Sequence, residues 1–374
     1  MSGGRGAPPA HEGAGAARLD QGLAAIAAGA AELDRAPCFP REAFFRLADS
    51  GALTATIGAV RAGASVVPEW DLVRRAAAAD ASVGRILDGH LNAIERLEVA
   101  ADPELRDREL AAVEAGQRLL GVWGADPGPG EGDPARLHQT GAGPVLRGTK
   151  TFCSGAGGVD AALVMVGSDD GAAPSLVLIE CGATVGGAAV EVDRSWYRAA
   201  GLRASESHRV EFHDAPVTAV LGEPGELARE PWFARDAMRT AASWAGMVDA
   251  AAAAALDELA GHRAEEPLAQ LAAGRIETAH GTVEAWLERA AGVADAAIAP
   301  DSVVAPRPTG IAMRAEIDRA ATAILAIAAA ACGSHPFVTA GPLDRARRDL
   351  ETFLLQHRLD PLLTRLGAEG LARR

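Results

Sequence analysis

The sequence predicts a mainly α-helical protein with a central β-domain: an N-terminal helical domain, a middle β-barrel or sandwich, and a C-terminal four-helix bundle. Three observations carry this. Apolar residues recur at helical spacing on both sides of the middle of the chain. Between residues 120 and 225 the period falls from 3.6 towards 2. Gly and Pro are dense at the point of change, from Gly121 through Pro134.

The elements follow in order. Met1–Ala17 is rich in Gly, Ala and Pro, with neither a charged start nor an apolar stretch; it reads as a disordered tail rather than a signal peptide. Helical periodicity sets in over Asp20–Arg35, through Leu23, Ile26, Ala27, Ala30 and Leu33. It continues over Arg41–Leu53, Glu69–Ala79, Val83–Leu97 and Pro103–Leu119, so residues 18–119 form the N-terminal domain. In 120–225, Ala161–Val166 and Ser175–Ile179 are strand-like runs joined by Ser168-Asp-Asp-Gly, a hairpin tip, and Val210–Phe212 is a third strand. From 226 to 374 four helical segments, Ala228–Leu259, Leu268–Ile298, Gly310–Ala331 and Leu343–Gln356, are separated by Gly/Pro/His-rich breaks and predict a bundle.

Composition narrows the class. At 374 residues the chain exceeds one ordinary core, and with aromatics at only 4% that core must be built mostly from Ala, Leu and Val. A net charge of −14 argues against a nucleic-acid partner, which selects a basic face. Cys38, Cys153, Cys181 and Cys332 are scattered, without CxxC or zinc-type His spacing, and read as free thiols. No apolar run reaches the ~18 residues of a membrane span. A cytoplasmic location is the expectation.

Two stretches carry a resemblance. Leu146-Arg-Gly-Thr-Lys-Thr-Phe-Cys-Ser-Gly-Ala enters the β-domain, and Gly201-Leu-Arg-Ala-Ser leads to Val210-Glu-Phe-His-Asp-Ala-Pro-Val at its exit. Together with the α–β–α order they resemble the acyl-CoA dehydrogenase superfamily of flavoenzymes. The resemblance implies FAD, a dimer or tetramer built through the bundle, and oxidation of an acyl thioester on CoA or a carrier, with electrons passing to an acceptor flavoprotein.

It also implies roles for residues. A flavin ring needs an apolar wall and a hydrogen-bond donor where negative charge grows. Phe152 and Ser154, two apart on a strand, would share a face; spacing alone favours a core Phe beside a surface Ser, and it is the resemblance that makes them flavin wall and donor. Trp123 and Ala125 lie in the Gly121–Asp133 turn, which matches a cofactor-side turn of the family. Arg263 stands where the family's Arg-x-x-Phe-Gly reaches the FAD pyrophosphate of a neighbouring subunit, although here it reads Arg263-Ala-Glu-Glu-Pro. Gly333 resembles the Gly-rich turn before the last helices.

The family's usual base is a Glu nine residues after the Arg of a final Arg-Asp pair; counting from Arg348 reaches His357. The other position the family uses, before Arg239, is Met238. His357 and His90 are therefore the candidate proton acceptors. His90, on a helix that in this family faces the substrate end of the flavin, resembles the flavin-dependent monooxygenase branch, which takes reduced flavin from a partner reductase. That branch is the alternative reading, and a non-catalytic flavin-binding paralogue is a third.

Overall fold

A computed structural model describes residues 10–167, 173–181, 189–261, 263–356 and 358–374. The N-terminal part holds α1 (Ala10–Arg35), α2 (Arg41–Asp49), α3 (Val67–Ala79), α4 (Ala81–Ala100) and α5 (Pro103–Glu114). Helix α1 begins inside the segment expected to be a disordered tail. Asp80 caps α4 by accepting the Val83 N–H at 2.9 Å, and Asp102 caps α5 through the Glu104 and Leu105 N–H groups.

Among the described residues seven strands follow: β1 (Leu120–Trp123), β2 (Arg136–Thr140), β3 (Gly143–Cys153), β4 (Ala161–Val166), β5 (Ser175–Glu180), β6 (Val190–Asp193) and β7 (His208–Leu221). Their order is β1-β4-β5-β7-β3-β2, with β6 also paired to β7; only β1 and β4 run parallel. The long β7 joins the two halves, pairing with β5 over Val217–Leu221 and with β3 over His208–Pro216. The third predicted strand is thus the start of a much longer one. The predicted hairpin tip lies outside the described residues.

The C-terminal part holds α6 (Trp232–Ala260), α7 (Pro267–Ala297), α8 (Arg307–Cys332), the short α9 (His335–Val338), α10 (Pro342–Leu354) and α11 (Leu359–Ala372). Four of these match the predicted bundle segments. Helix α11 extends beyond them and buries none of its residues.

Two cores cross the predicted domain limits. One runs from α1–α5 into the sheet, through Leu87, Leu91, Ile94, Leu163 and Leu178. The other fills the bundle largely with alanines and also takes Trp70 and Ala77 of α3. Small residues permit this closeness: at Gly246 any side chain would collide with the Arg74 carbonyl.

Charge stitches the same seam. The Arg239 guanidinium, 1% exposed, has Glu69 and Asp236 at 2.9 Å, Asp88 at 3.3 Å and Glu95 at 3.6 Å. Burial opposes its charge, but the carboxylates outweigh that and hold it protonated. None of the helices is long and apolar enough to cross a membrane among the described residues.

Candidate flavin site

Strand β3 ends in a distorted corner. Its pairing with β7 slips between Lys150 and Cys153, and Phe152 adopts φ +52°, a left-handed backbone that a bulky side chain rarely takes. The distortion breaks the alternation on which the same-face expectation rested. Phe152 turns outward, 57% exposed, whereas Ser154 is buried. Strain held at an exposed aromatic is a pointer to function. Phe152 meets Trp196 edge-on at 4.9 Å, and the Trp196 indole N–H donates to Glu131 at 3.0 Å. The two rings make an aromatic ledge fixed at both ends.

Behind the ledge runs a string of hydroxyls. Ser154 Oγ lies 2.9 Å from Ser207 Oγ, which lies 2.8 Å from Ser205 Oγ. The Tyr197 hydroxyl donates to the Gly201 carbonyl at 3.4 Å. Ser205 closes a short 3₁₀ turn and its hydroxyl meets that of Ser207 across Glu206, whose backbone is held at φ +45°. Its carboxylate pairs with Arg194 at 2.7 Å and sits 3.7 Å from His208 Nε2. Burial pushes the Glu206 carboxyl up, but His208 and Arg194 more than offset it and leave it below its usual range. Gly157 makes room for this carboxylate, since a side chain there would overlap it. His208 is buried edge-on to Tyr197, with neither ring nitrogen hydrogen-bonded.

The Gly/Pro loop after β1 is zipped to β3. Buried Lys150 donates to Asp126 at 2.7 Å and to the Gly124 carbonyl at 3.3 Å, and the Thr151 N–H donates to the Ala125 carbonyl at 3.1 Å. Exposed Ala125 is therefore held beside the corner. Trp123 does not: it is 1% exposed and its indole N–H donates inward to the Ser154 carbonyl at 3.1 Å. It is a core residue that braces the corner from behind, because alternation along β1 turns it into the sheet.

The expected proton acceptors fare differently. His90 is fully buried; its Nδ1 accepts the Leu120 N–H at 3.1 Å and its Nε2 donates to the Leu53 carbonyl at 3.0 Å. Burial drives its pKa down to about 4, so it is a neutral strut between α4, β1 and the loop after α2, not a free base. His357 lies outside the described residues. Met238 is buried against Gly310.

Arg263 directs two of its five N–H donors within its own chain, to Glu266 at 3.0 Å and to the Ala331 carbonyl at the end of α8. That engagement opposes a pyrophosphate role, since the acid that follows in sequence already neutralises the cation. Gly333 ends α8 at φ +73°, a helix-terminating conformation, with open space around it.

Sequence reasoning missed Trp196, Tyr197, Ser205, Ser207 and His208. One signal was available: Tyr197 is the only tyrosine of the chain and sits next to one of six tryptophans.

The arrangement matches known structures over almost its whole length. FMN-bound TdsC from Paenibacillus sp. A11-2 superposes with a TM-score of 0.86 at 20% identity, covering 96% of this chain and 98% of that one. The chain has the acyl-CoA dehydrogenase-like fold. Methanesulfinate monooxygenase MsuC from Pseudomonas fluorescens shares that fold, with a TM-score of 0.80, 20% identity and 96% of both chains covered. In sequence, dibenzothiophene monooxygenase of Rhodococcus erythropolis is 29% identical over 159 residues, which spans 41% of this chain and 38% of that protein. No protein-family model matches the sequence. Within this fold the Phe152 corner and the loop after β1 lie on the β-domain and the Arg239 network joins the two helical parts.

Proposed function

We propose that this protein is a flavin-dependent monooxygenase that uses reduced FMN, supplied by a separate reductase, and oxygen to hydroxylate or otherwise oxygenate a small molecule. The observation that carries the reading is the exposed Phe152–Trp196 ledge at the strained corner of β3, two residues from the buried hydroxyl of Ser154. An apolar wall with a polar donor beside it fits an isoalloxazine ring. When bound, the flavin would supply the electrons and the oxygen-activating centre. Phe152 and Trp196 would hold the ring, and Ser154 would donate at its N5/O4 edge.

Three features favour this over acyl-thioester oxidation. Met238 offers no carboxylate at one of the two family positions for the base. The seam between α4 and α6 is filled by the Arg239 charge network, a poor lining for an acyl chain. The curated and structural relatives are named as monooxygenases, and one is bound to FMN. FMN rather than FAD fits Arg263, whose charge is already paired with Glu266 in its own chain. The TdsC complex with FMN and indole makes a small heteroaromatic a reasonable first substrate to try.

We also propose a homo-oligomer assembled through the bundle, because Leu268, Val338, Leu355 and Leu371 are exposed there and α11 has nothing packed over it. Sedimentation at micromolar concentration tests this; a monomer that still binds flavin refutes it.

For the activity, the purified protein is titrated with reduced FMN and with FAD, then exposed to oxygen with and without indole. Tighter binding of FMN and an oxygenated product support the proposal. Bleaching of bound FAD by an acyl-CoA would restore the dehydrogenase reading, and the absence of any flavin binding would favour a non-catalytic protein.

A further inference from the structure

The geometry points to a second binding site, a cavity that takes a small primary amine in its protonated form. It lies where the chain after α2 passes α4, and its volume is about 150 Å³. A space of that size holds a benzene-sized molecule. Helix α4 lays Leu91, Glu95 and Glu98 along one face, because they stand at i, i+4 and i+7. Leu91 and Glu95 line the cavity, and Glu98 clamps its outer wall by accepting the Gly58 and Val60 N–H groups. Helix α3 adds Pro68 and Glu69, and α6 adds Arg235. The exposed Ala55, Ala64 and Ser65 leave it a mouth to solvent.

The lining is mixed. Ala59, Val60, Pro68 and Leu91 supply apolar surface suited to a short alkyl chain, and Thr56, Glu69 and Glu95 supply acceptors. Thr56 is 8% exposed and Glu95 4%, yet among the described residues neither Thr56 Oγ1 nor Glu95 Oε1 has a hydrogen-bond partner. Buried polar atoms are nearly always paired, so two bare oxygens on one cavity call for a donor inside it. The cations nearby do not supply it. Arg235 gives its Nε to the other Glu95 oxygen at 3.1 Å and a second N–H to the Ala294 carbonyl at 3.4 Å. Arg239 bonds Glu69 at 2.9 Å but stays 3.6 Å from Glu95 Oε1, beyond hydrogen-bond reach. Neither Arg239 nor Arg96, which turns its Nε to Asn92, lines the cavity.

A primary ammonium matches this set. It carries one positive charge and three N–H donors on a single nitrogen, with no acceptor of its own. Thr56, Glu69 and Glu95 offer it three acceptors. Among the lining groups two carboxylates face one guanidinium, so an anion is repelled. Burial pushes the Glu69 carboxyl up, and Glu95 adds to the rise against the pull of Arg239 and Arg235; a further cation between the carboxylates relieves that repulsion. A neutral alcohol has a single donor and leaves one of the bare oxygens unpaired. The site is independent of the flavin reading. Ile86 of α4 lies against Gly155 at the flavin corner, whereas Leu91 and Glu95 follow about one and a half to two and a half turns further along the helix.

The test is calorimetric titration of the full chain, without added flavin and at constant potassium chloride, with n-butylammonium as the probe. Butyrate and butan-1-ol share its alkyl chain and serve as anionic and neutral controls. The amine should bind saturably at a single site, and both controls at least about 10-fold more weakly. Thr56→Val keeps the shape of the side chain and removes the hydroxyl. It should weaken the amine about 10-fold while leaving the unliganded protein at least as stable, because the lost oxygen had no partner. Ala59→Leu fills the cavity from its wall without replacing a charged group, and should abolish binding.

Absence of saturable binding to the wild type by about 10 mM amine overturns the site. Butan-1-ol binding as tightly as the amine overturns it too, since shape and not charge would then be recognised. Unchanged amine affinity in either variant, its fold confirmed by circular dichroism, places the amine elsewhere and refutes the assignment. Displacement of the amine by an equal concentration of potassium would give the cavity to bare metal cations and equally refute it. No flavin takes part in these titrations, so each result leaves the flavin reading where it stood.

Discussion

Replacing Asp349 by Asn should make the protein more stable at pH 8 and leave it nearly unchanged at pH 4. Asp349, on α10, is buried and accepts the Leu202 N–H at 2.6 Å, tying the last helices to the exit of the β-domain. Burial is the main cause that raises its pKa from 3.8 to about 7; Asp80 and Asp34 add to the rise, while the Leu202 N–H and Arg348 oppose it. The sign follows from linkage. The folded state holds this proton more tightly than the unfolded chain, so the contribution to stability is fully present below about 4. It is lost as pH rises through the folded value near 7.

A shift of about 3 units at about 1.4 kcal/mol each amounts to about 4 kcal/mol above pH 7, and to about 2 kcal/mol at pH 5. Asn keeps an acceptor for Leu202 and has no charge to bury, so the variant escapes that cost. Denaturant melts of both proteins at pH 4, 5, 6.5 and 8 measure the difference, which should widen with pH and level off above about 7. Asp80, itself raised to about 6 by burial, leaves a smaller slope of the same sign in the variant. A variant that is equally or less stable at pH 8, or a gap that does not grow with pH, would refute the reasoning.

Three further outcomes are expected. His90→Ala should cost about 2–5 kcal/mol by stranding the Leu53 carbonyl and Leu120 N–H; because the folded pKa of His90 is lowered from 6.5 to about 4, the same variant should lose part of the wild type's fall in stability as pH drops across that window, and melts at pH 4 to 7 check both. Phe152→Ala, at an exposed position, should leave the melting curve in place yet weaken FMN binding by about 10-fold, or ~1.4 kcal/mol, in a fluorescence titration. Arg263→Ala should leave FMN affinity within about 3-fold, since two of its donors already serve Glu266 and Ala331; a loss beyond about 10-fold would give it back a role at the cofactor.

The order of helices, strands and helices was legible in the sequence because it depends on periodicity, which is local. Segments such as Leu268–Ile298 and Ala161–Val166 bury one face against whatever lies beneath, and their spacing announces it. The Phe152–Ser154 motif pointed to this corner for a related reason: residue types that suit a flavin edge stand close together in the chain. What spacing cannot supply is direction once a strand is distorted. A left-handed residue at Phe152 sent the two side chains apart, and only the pairing of β3 with β7 set that bulge.

His90 makes the same point from the other side. Its residue type invited a proton-transfer role, but the burial that lowers its pKa and the two backbone partners that occupy its ring come from β1 and from the loop after α2. The serine hydroxyls likewise join Ser154 to Ser207, 53 positions away, through the antiparallel pairing of β3 with β7 and the turn that precedes it. Residue types and local periods determined which elements form and which chemistry each segment could offer. Tertiary packing decided which of those groups meet, which are sealed in the core, and which are left facing a ligand, because burial and hydrogen-bond partners belong to neighbours that the chain brings from far away.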